Sequence, residues 1–312
     1  MRTKLISVFL SKKSYWILLI TFAWTGRMHA QSGDSAVNVT DPFREIVKLE
    51  DSMIIYADSL RFGVIMEEKA RLNEKFVRAL RKALDYPNSY EYPFERLKEY
   101  IRIIVPEDNS FRIFNWVVLI NEFSRRYYGA IQMNSPELKL YPLLDYSEEL
   151  ESNGRALDKL THKEWYGGEI YNIYKLPNVL ENGLPVYAVF SYNNNAVYSK
   201  KKIFDHMVVT EQGPVFGLPI IVTPEATINR LIVEYKKEAF VNLNFNKDEQ
   251  KVIFDRVSSE IGDPTKRFTY VPTGHMDGFQ LKEGKWRFVP DAIPIMKLQD
   301  GQAPIDGVFP NR

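Results

Sequence analysis

The chain has 312 residues, 45% hydrophobic and 26% charged, the composition of a globular protein and not of a disordered or fibrous one. Its formal charge is +1, yet five of its 41 basic residues (Arg2, Lys4, Lys12, Lys13, Arg27) fall within residues 1–30, which hold no acidic residue. The rest carries 36 basic against 40 acidic groups, a balance that argues against a nucleic-acid surface, and the absence of cysteine excludes disulfides, thiol catalysis and thiolate metal sites.

Residues 1–30 have the build of a signal peptide: a basic start, an apolar stretch over 15–24, and a small residue, Ala30, before Gln31. About ten apolar residues are too few to span a bilayer of roughly 30 Å. An uncleaved N-terminal anchor is the rival reading, because Met28 replaces the usual small residue at the first position of the cleavage pattern. Residues 31–40 are small and polar and read as a flexible lead.

Residues 41–100 form a helical region. Asp41 and Pro42 have the types of an N-cap and a first helical residue. Ile46, Leu49, Met53 and Leu60 predict a helix over 45–60, Phe62-Gly63 breaks it, and Met66, Leu72, Phe76, Leu80 and Ala83 predict a second over 65–84. Their charged faces read as solvated. The two make a helical hairpin whose apolar stripes need cover from elsewhere.

Residues 101–289 read as antiparallel β-structure. Strands are predicted at 101–105, 111–116, 127–133 and 138–143, with Phe111, Ile113 and Asn115 on one face. The acidic stretch 145–153 is a candidate internal boundary near 145–160, and 156–160 adds a helical turn. A strand over 165–176 bends at Gly167-Gly168. Residues 184–222 predict a three-stranded meander, with Asn193-Asn194-Asn195 as its first turn, 210–214 as its second, and 215–222 as a third strand covered on both faces. Short strands follow at 232–235, 239–245, 251–256, 268–271, 278–281 and 285–288, with Asp277-Gly278 and Glu283-Gly284 as turns. Residues 290–312 read as an extended C-terminal tail. The fold class is therefore α+β, a helical hairpin followed by antiparallel meanders, with sandwich, barrel or propeller-like closure all open.

Several segments in order resemble an uncharacterised family of exported proteins from Bacteroidota. They are Tyr92-Pro93-Phe94, the run Phe111 to Trp116 (FRIFNW), Tyr127-Tyr128-Gly129-Ala130, Asn193-Asn194-Asn195 ahead of Ser199 to Asp205 (SKKKIFD), Pro214-Val215-Phe216-Gly217, Ile253-Phe254-Asp255, and Asp277-Gly278-Phe279 before Gly284-Lys285-Trp286. The family often has Asp-Gly where this chain has Tyr192-Asn193, a departure that speaks against metal binding at that turn. The resemblance implies export and this fold, and carries no activity. In such bacteria a short Asp-Ser/Thr-apolar pattern accepts O-glycans. Asp34-Ser35-Ala36, Asp51-Ser52-Met53 and Asp58-Ser59-Leu60 resemble it, with Ser35 in the flexible lead as the candidate acceptor.

No Gly-x-Ser-x-Gly elbow, P-loop or dinucleotide fingerprint occurs. His162, His206 and His275 lie in separate segments with no metal-ligand spacing. Glu164, Asp205 and Asp277 are the carboxylates a glycosidase could use, but Asp277 reads as a turn former and Asp205 as a strand-end residue. Lys200-Lys201-Lys202 reads as a solvated edge guard, and Trp116, Trp165 and Trp286 as core or platform residues. No residue is nominated as catalytic, cofactor-binding or metal-ligating, and no cofactor is expected. The expected function is a structural or protein-interaction role in the periplasm or at the outer-membrane surface, with an envelope protein as partner. The chain is expected to be neither an integral membrane protein nor a nucleic-acid binder. The alternative is a carbohydrate-binding module or glycoside hydrolase.

Overall fold

The computed structural model describes residues 42–294, apart from 64, 122–123, 178–179 and 181–182. The predicted leader and lead, Ser35, and the tail beyond 294 lie outside the described residues.

Helix α1 (Arg44–Phe62) and helix α2 (Met66–Leu84) form the expected hairpin. The chain enters α1 through a turn at Pro42-Phe43, with Phe43 rather than Asp41 at the N-cap position. The buried stripe of α1 is Ile46, Glu50, Met53, Ala57 and Leu60, and that of α2 includes Lys69, Asn73, Phe76, Leu80 and Ala83. Alternating steps of three and four keep each stripe on one face. The charged residues are therefore not all solvated. Glu50 is buried and accepts from the Leu97 amide (3.1 Å), the Tyr92 hydroxyl (2.5 Å) and Arg96 (3.1 Å), stitching α1 to the segment that follows the hairpin.

The first sheet is antiparallel in chain order: β1 (Arg102–Ile104), β2 (Phe111–Leu119), β3 (Arg125–Met133) and β4 (Leu140–Leu144). Strand β2 is buried on both sides. Phe114, Trp116 and Val118 pack under the helices with Met53, Phe76 and Leu80, while Phe111 and Ile113 face the next sheet, as the alternation predicts. Gly129 sits opposite Asn115, where a Cβ would come within 2.9 Å of the Leu143 side chain.

Helix α3 (Ser147–Ser152) occupies the acidic stretch expected to be a boundary, and the helical turn expected at 156–160 is instead a turn and the short strand β5 (Leu160–Thr161). Asp145 starts the helix by accepting from the Ser147 amide (3.0 Å) and hydroxyl (2.7 Å), and Leu150 buries its side chain. Residues from both sides of 145–160 share one core, with Phe111, Tyr127 and Ile131 packed with Ile170, Tyr187, Val189, Ile203 and Met207.

Strands β6 (Glu169–Lys175), β7 (Val186–Asn193), β8 (Ser199–Thr210) and β9 (Gly213–Phe216) build the second sheet, with a bulge in β6 after Ile170. The triple asparagine turns β7 into β8 as predicted. The third strand is not continuous over 215–222. At Gly217, φ +80°, the chain leaves the sheet, and a Cβ there would lie 2.9 Å from the Asp158 carbonyl. Strand β10 (Ile221–Val222) then joins the third sheet, parallel to its last strand, followed by β11 (Thr227–Ile228). Strand β12 (Leu231–Lys236) returns to pair with β8.

The third sheet is completed by β13 (Leu243–Asn246), β14 (Lys251–Ser259), β15 (Tyr270–Lys282) and β16 (Lys285–Ile293). The strands predicted at 268–271 and 278–281 merge into β15, so Asp277-Gly278 is mid-strand, and β16 continues through residues 290–293 of the predicted tail. Gly278 is required for packing, since a Cβ would lie 2.6 Å from the Val252 carbonyl. Ala188, Phe190, Phe204 and Tyr235 pack with Val252, Phe254, Phe279 and Trp286 to form the core between the second and third sheets. The α+β class expected from the sequence is what the structure shows, two helices followed by mostly antiparallel sheet. Its layers are helices, first sheet, second sheet and third sheet.

Candidate ligand-binding cleft

The carboxylates singled out in the sequence lie in different parts of the fold, and each has an arginine partner. Asp205 is buried and receives Nε of Arg230 at 2.5 Å, the Gly217 amide at 3.0 Å and the His206 amide at 2.7 Å. Asp277 holds Arg256 through two contacts, 2.5 and 2.9 Å, and is neither exposed nor in a turn. Glu164 lies 3.5 Å from Arg155. The three histidines are also apart. His162 is within 2.9 Å of the Pro142 carbonyl, His275 pairs with Asp291 at 2.9 Å, and His206 is fully buried. Among the described residues no group of three His, Asp or Glu side chains could hold a metal ion. Trp116 and Trp286 are core residues whose indole N–H groups donate to Asn73 and His206, and Trp165 is buried. The two helical serines of the O-glycan pattern donate to their own helix, Ser52 to Lys48 and Ser59 to Ile55.

The state of His206 follows from its neighbour. Trp286 Nε1–H donates to His206 Nε2 at 2.7 Å, so that nitrogen must be an acceptor and the ring neutral, with its proton on Nδ1. Burial, helped by the nearby Arg230 charge, lowers its pKa to about 3. The unfolded chain binds this proton near pH 6.5 and the folded chain does not, so the contribution is complete above pH 6.5 and is lost as pH falls towards 3. From pH 7 to pH 5 the loss is about 2 kcal/mol. In urea titrations, His206→Gln, which keeps an acceptor for Trp286 and cannot titrate, should flatten the pH dependence by that amount. Equal slopes for variant and parent would rule the assignment out.

The lysine run is not an edge guard. Strand β8 has β7 on one side and β12 on the other, and its side chains alternate. Lys201 points to one side, buried against Glu151. Lys200 and Lys202 point to the other, in line with Phe204, where the second sheet extends past the cover of the third.

There they line a cleft of about 530 Å³ with Tyr171, Tyr192, Tyr235 and Phe240. Lys202 Nζ lies 4.4 Å from the centroid of the Tyr171 ring and 5.3 Å from that of Tyr192, and Lys200 Nζ lies 5.2 Å from the Phe240 ring. Among the described residues neither lysine has a carboxylate or carbonyl partner. Burial holds the Lys202 ammonium below its ordinary pKa and pushes the hydroxyls of Tyr171, Tyr192 and Tyr235 up, so these phenols stay protonated. Tyr171 is fixed by donating to the Leu243 carbonyl at 2.7 Å, whereas the Phe240 ring is 84% exposed. Arg102 and Glu169, 3.9 Å apart, close one end and also line a second cleft of about 360 Å³ reaching to α1 and α2. The arrangement offers ring faces, phenol donors and two ammonium groups. It can bind a ligand with a flat apolar face and acceptor or anionic groups.

Period-two alternation around Phe190 and Phe204 places Tyr192, Lys200 and Lys202 on one face. That signal was present in the sequence, while Tyr171, Tyr235 and Phe240 reach the cleft only through strand pairing and the loop after β12. Comparison with protein-family models, curated proteins and solved structures finds no match for this chain. Among the described residues no helix is long and apolar enough to cross a membrane.

Proposed function

We propose that this chain is an exported protein of the bacterial envelope, in the periplasm or at the outer-membrane surface, that works by holding a partner and not by turning over a substrate. The observation behind this reading is the pairing of the three carboxylates singled out in the sequence. Asp205, Asp277 and Glu164 each have a guanidinium partner and none faces another across a cleft, so the acid and base pair of a glycosidase has no support. The partner is another envelope protein. Large exposed rings, Phe240 at the cleft and the touching pair Tyr198 and Phe268, are of the kind enriched in protein interfaces, and the mildly acidic body of the chain favours a partner other than nucleic acid. Pull-down from native envelopes should recover a defined protein with the parent and lose it with Tyr198→Ser/Phe240→Ser/Phe268→Ser. Recovery of the same protein at the same yield by the triple variant would reject this surface. The second reading, a carbohydrate-binding module without hydrolysis, is favoured by the ring-lined cleft.

A further inference from the structure

We propose that the cleft at the open end of the second sheet binds an acidic glycan, with its pyranose faces on the tyrosine and phenylalanine rings and its carboxylates at Lys200 and Lys202. This rests on reading the chain as a binding protein and names the ligand class of that site.

Charge selects the anion. Of the charged side chains lining the cleft, Glu169 is matched by Arg102, which leaves Lys200 and Lys202 in excess. Lys202 is half-buried between two ring faces, with no oxygen partner among the described residues to replace the water it has lost. A carboxylate arriving there would make a charge-assisted hydrogen bond with a cation already partly desolvated. The rings select the rest of the ligand. Tyr171, Tyr192 and Tyr235 come from three strands, and Phe240 stands at the mouth, so the apolar surface is presented as separate ring faces that suit the C–H faces of successive sugar units. The backbone disfavours a peptide. At the floor, β7 lies between β6 and β8, and β8 between β7 and β12, so their main-chain groups are already paired, and an added strand could pair only along the outer edges of β6 and β12, away from Lys200 and Lys202. The volume is within the range of small-ligand sites, and the adjoining cleft beyond Arg102 gives an oligomer room to continue.

The full exported chain would be titrated calorimetrically with a galacturonate oligomer, the neutral galactose oligomer of the same linkage, and poly-glutamate. The acidic sugar should bind about tenfold or more tighter than the neutral one, as expected for one or two charge-assisted contacts, and less tightly as salt is raised. Lys200→Gln/Lys202→Gln should remove that preference. Phe240→Ala, at an exposed position that leaves the melting temperature unchanged, should weaken both sugars. Equal affinity for the two sugars, acidic-sugar binding untouched by the lysine substitutions, or poly-glutamate binding as tightly as the sugar would overturn the proposal. If the parent chain binds neither sugar but still captures the envelope partner, the glycan proposal fails while the binding reading stands. Release of reducing ends would refute binding without turnover while leaving the ligand class intact.

Discussion

Replacing Arg230 by Met is expected to destabilise the protein by about 3–5 kcal/mol, measured as the shift in urea-unfolding free energy. Arg230 has no exposed surface. Its Nε donates to Asp205, its Nη1 donates to the Ala156 carbonyl at 2.5 Å, and its guanidinium carbon lies 5.7 Å from the Tyr166 ring centroid. Removing it strands the Asp205 carboxylate at a position where burial already raises its pKa. Asp205→Asn should also be destabilising, because it leaves the fully buried guanidinium without its counter-charge, and Arg230→Met/Asp205→Asn, which removes both charges, should lose less than the sum of the two single changes. Strict additivity would show that the pair is not coupled. The cluster joins the 156–158 turn, the middle of β8, the Gly217 crossover and the start of β12. Its loss should therefore also speed hydrogen exchange at the Gly217 amide.

The second large effect is expected at Arg112. It is buried in the face of the first sheet beneath the helical layer, and burial lowers its pKa to about 10. It donates to Gln132 Oε1 at 2.8 Å, the Tyr92 carbonyl at 2.6 Å and the Ser89 carbonyl at 2.7 Å. The rings of Tyr90, Phe94 and Phe114 lie within 4.9–5.1 Å of its guanidinium carbon. Arg112→Met leaves the Tyr92 carbonyl and Gln132 Oε1 without donors, while the Ser89 carbonyl keeps the Tyr92 amide at 3.1 Å, and should cost about 3 kcal/mol. Arg112→Lys should cost nearly as much, because an ammonium cannot reach three acceptors lying in the plane of a fork. Full stability of the Lys variant would show that charge alone suffices. Amides of residues 89–97 should exchange faster in both variants.

The helices were legible because their stripes are local. Ile46, Met53, Leu60, Phe76, Leu80 and Ala83 repeat at helical spacing whatever the rest of the chain does. The hairpin over 111–133 and the triple-asparagine turn were legible for the same reason. Features set by distant partners were not. Asp277-Gly278 has the composition of a turn, but the glycine admits the Val252 carbonyl and the aspartate holds Arg256 from the neighbouring strand. The apolar run 215–222 is split because Ile221 pairs in parallel with Trp286, a contact no local pattern encodes. The lysine run has the pattern of an edge because an edge and an interior strand carry the same alternation, and only the pairing of β12 with β8 distinguishes them. The candidate cleft was half visible, in Tyr192, Lys200 and Lys202. Its other rings arrive from strands on either side and from the Phe240 loop.

Strand β7 turns Tyr187 and Val189 towards one core and Ala188 and Phe190 towards the other. The middle sheet is thus a party wall, and neither neighbour can be lifted away without wetting it. A gene cut anywhere in the linker between the first and second sheets would therefore yield two fragments, each exposing its half of that shared core.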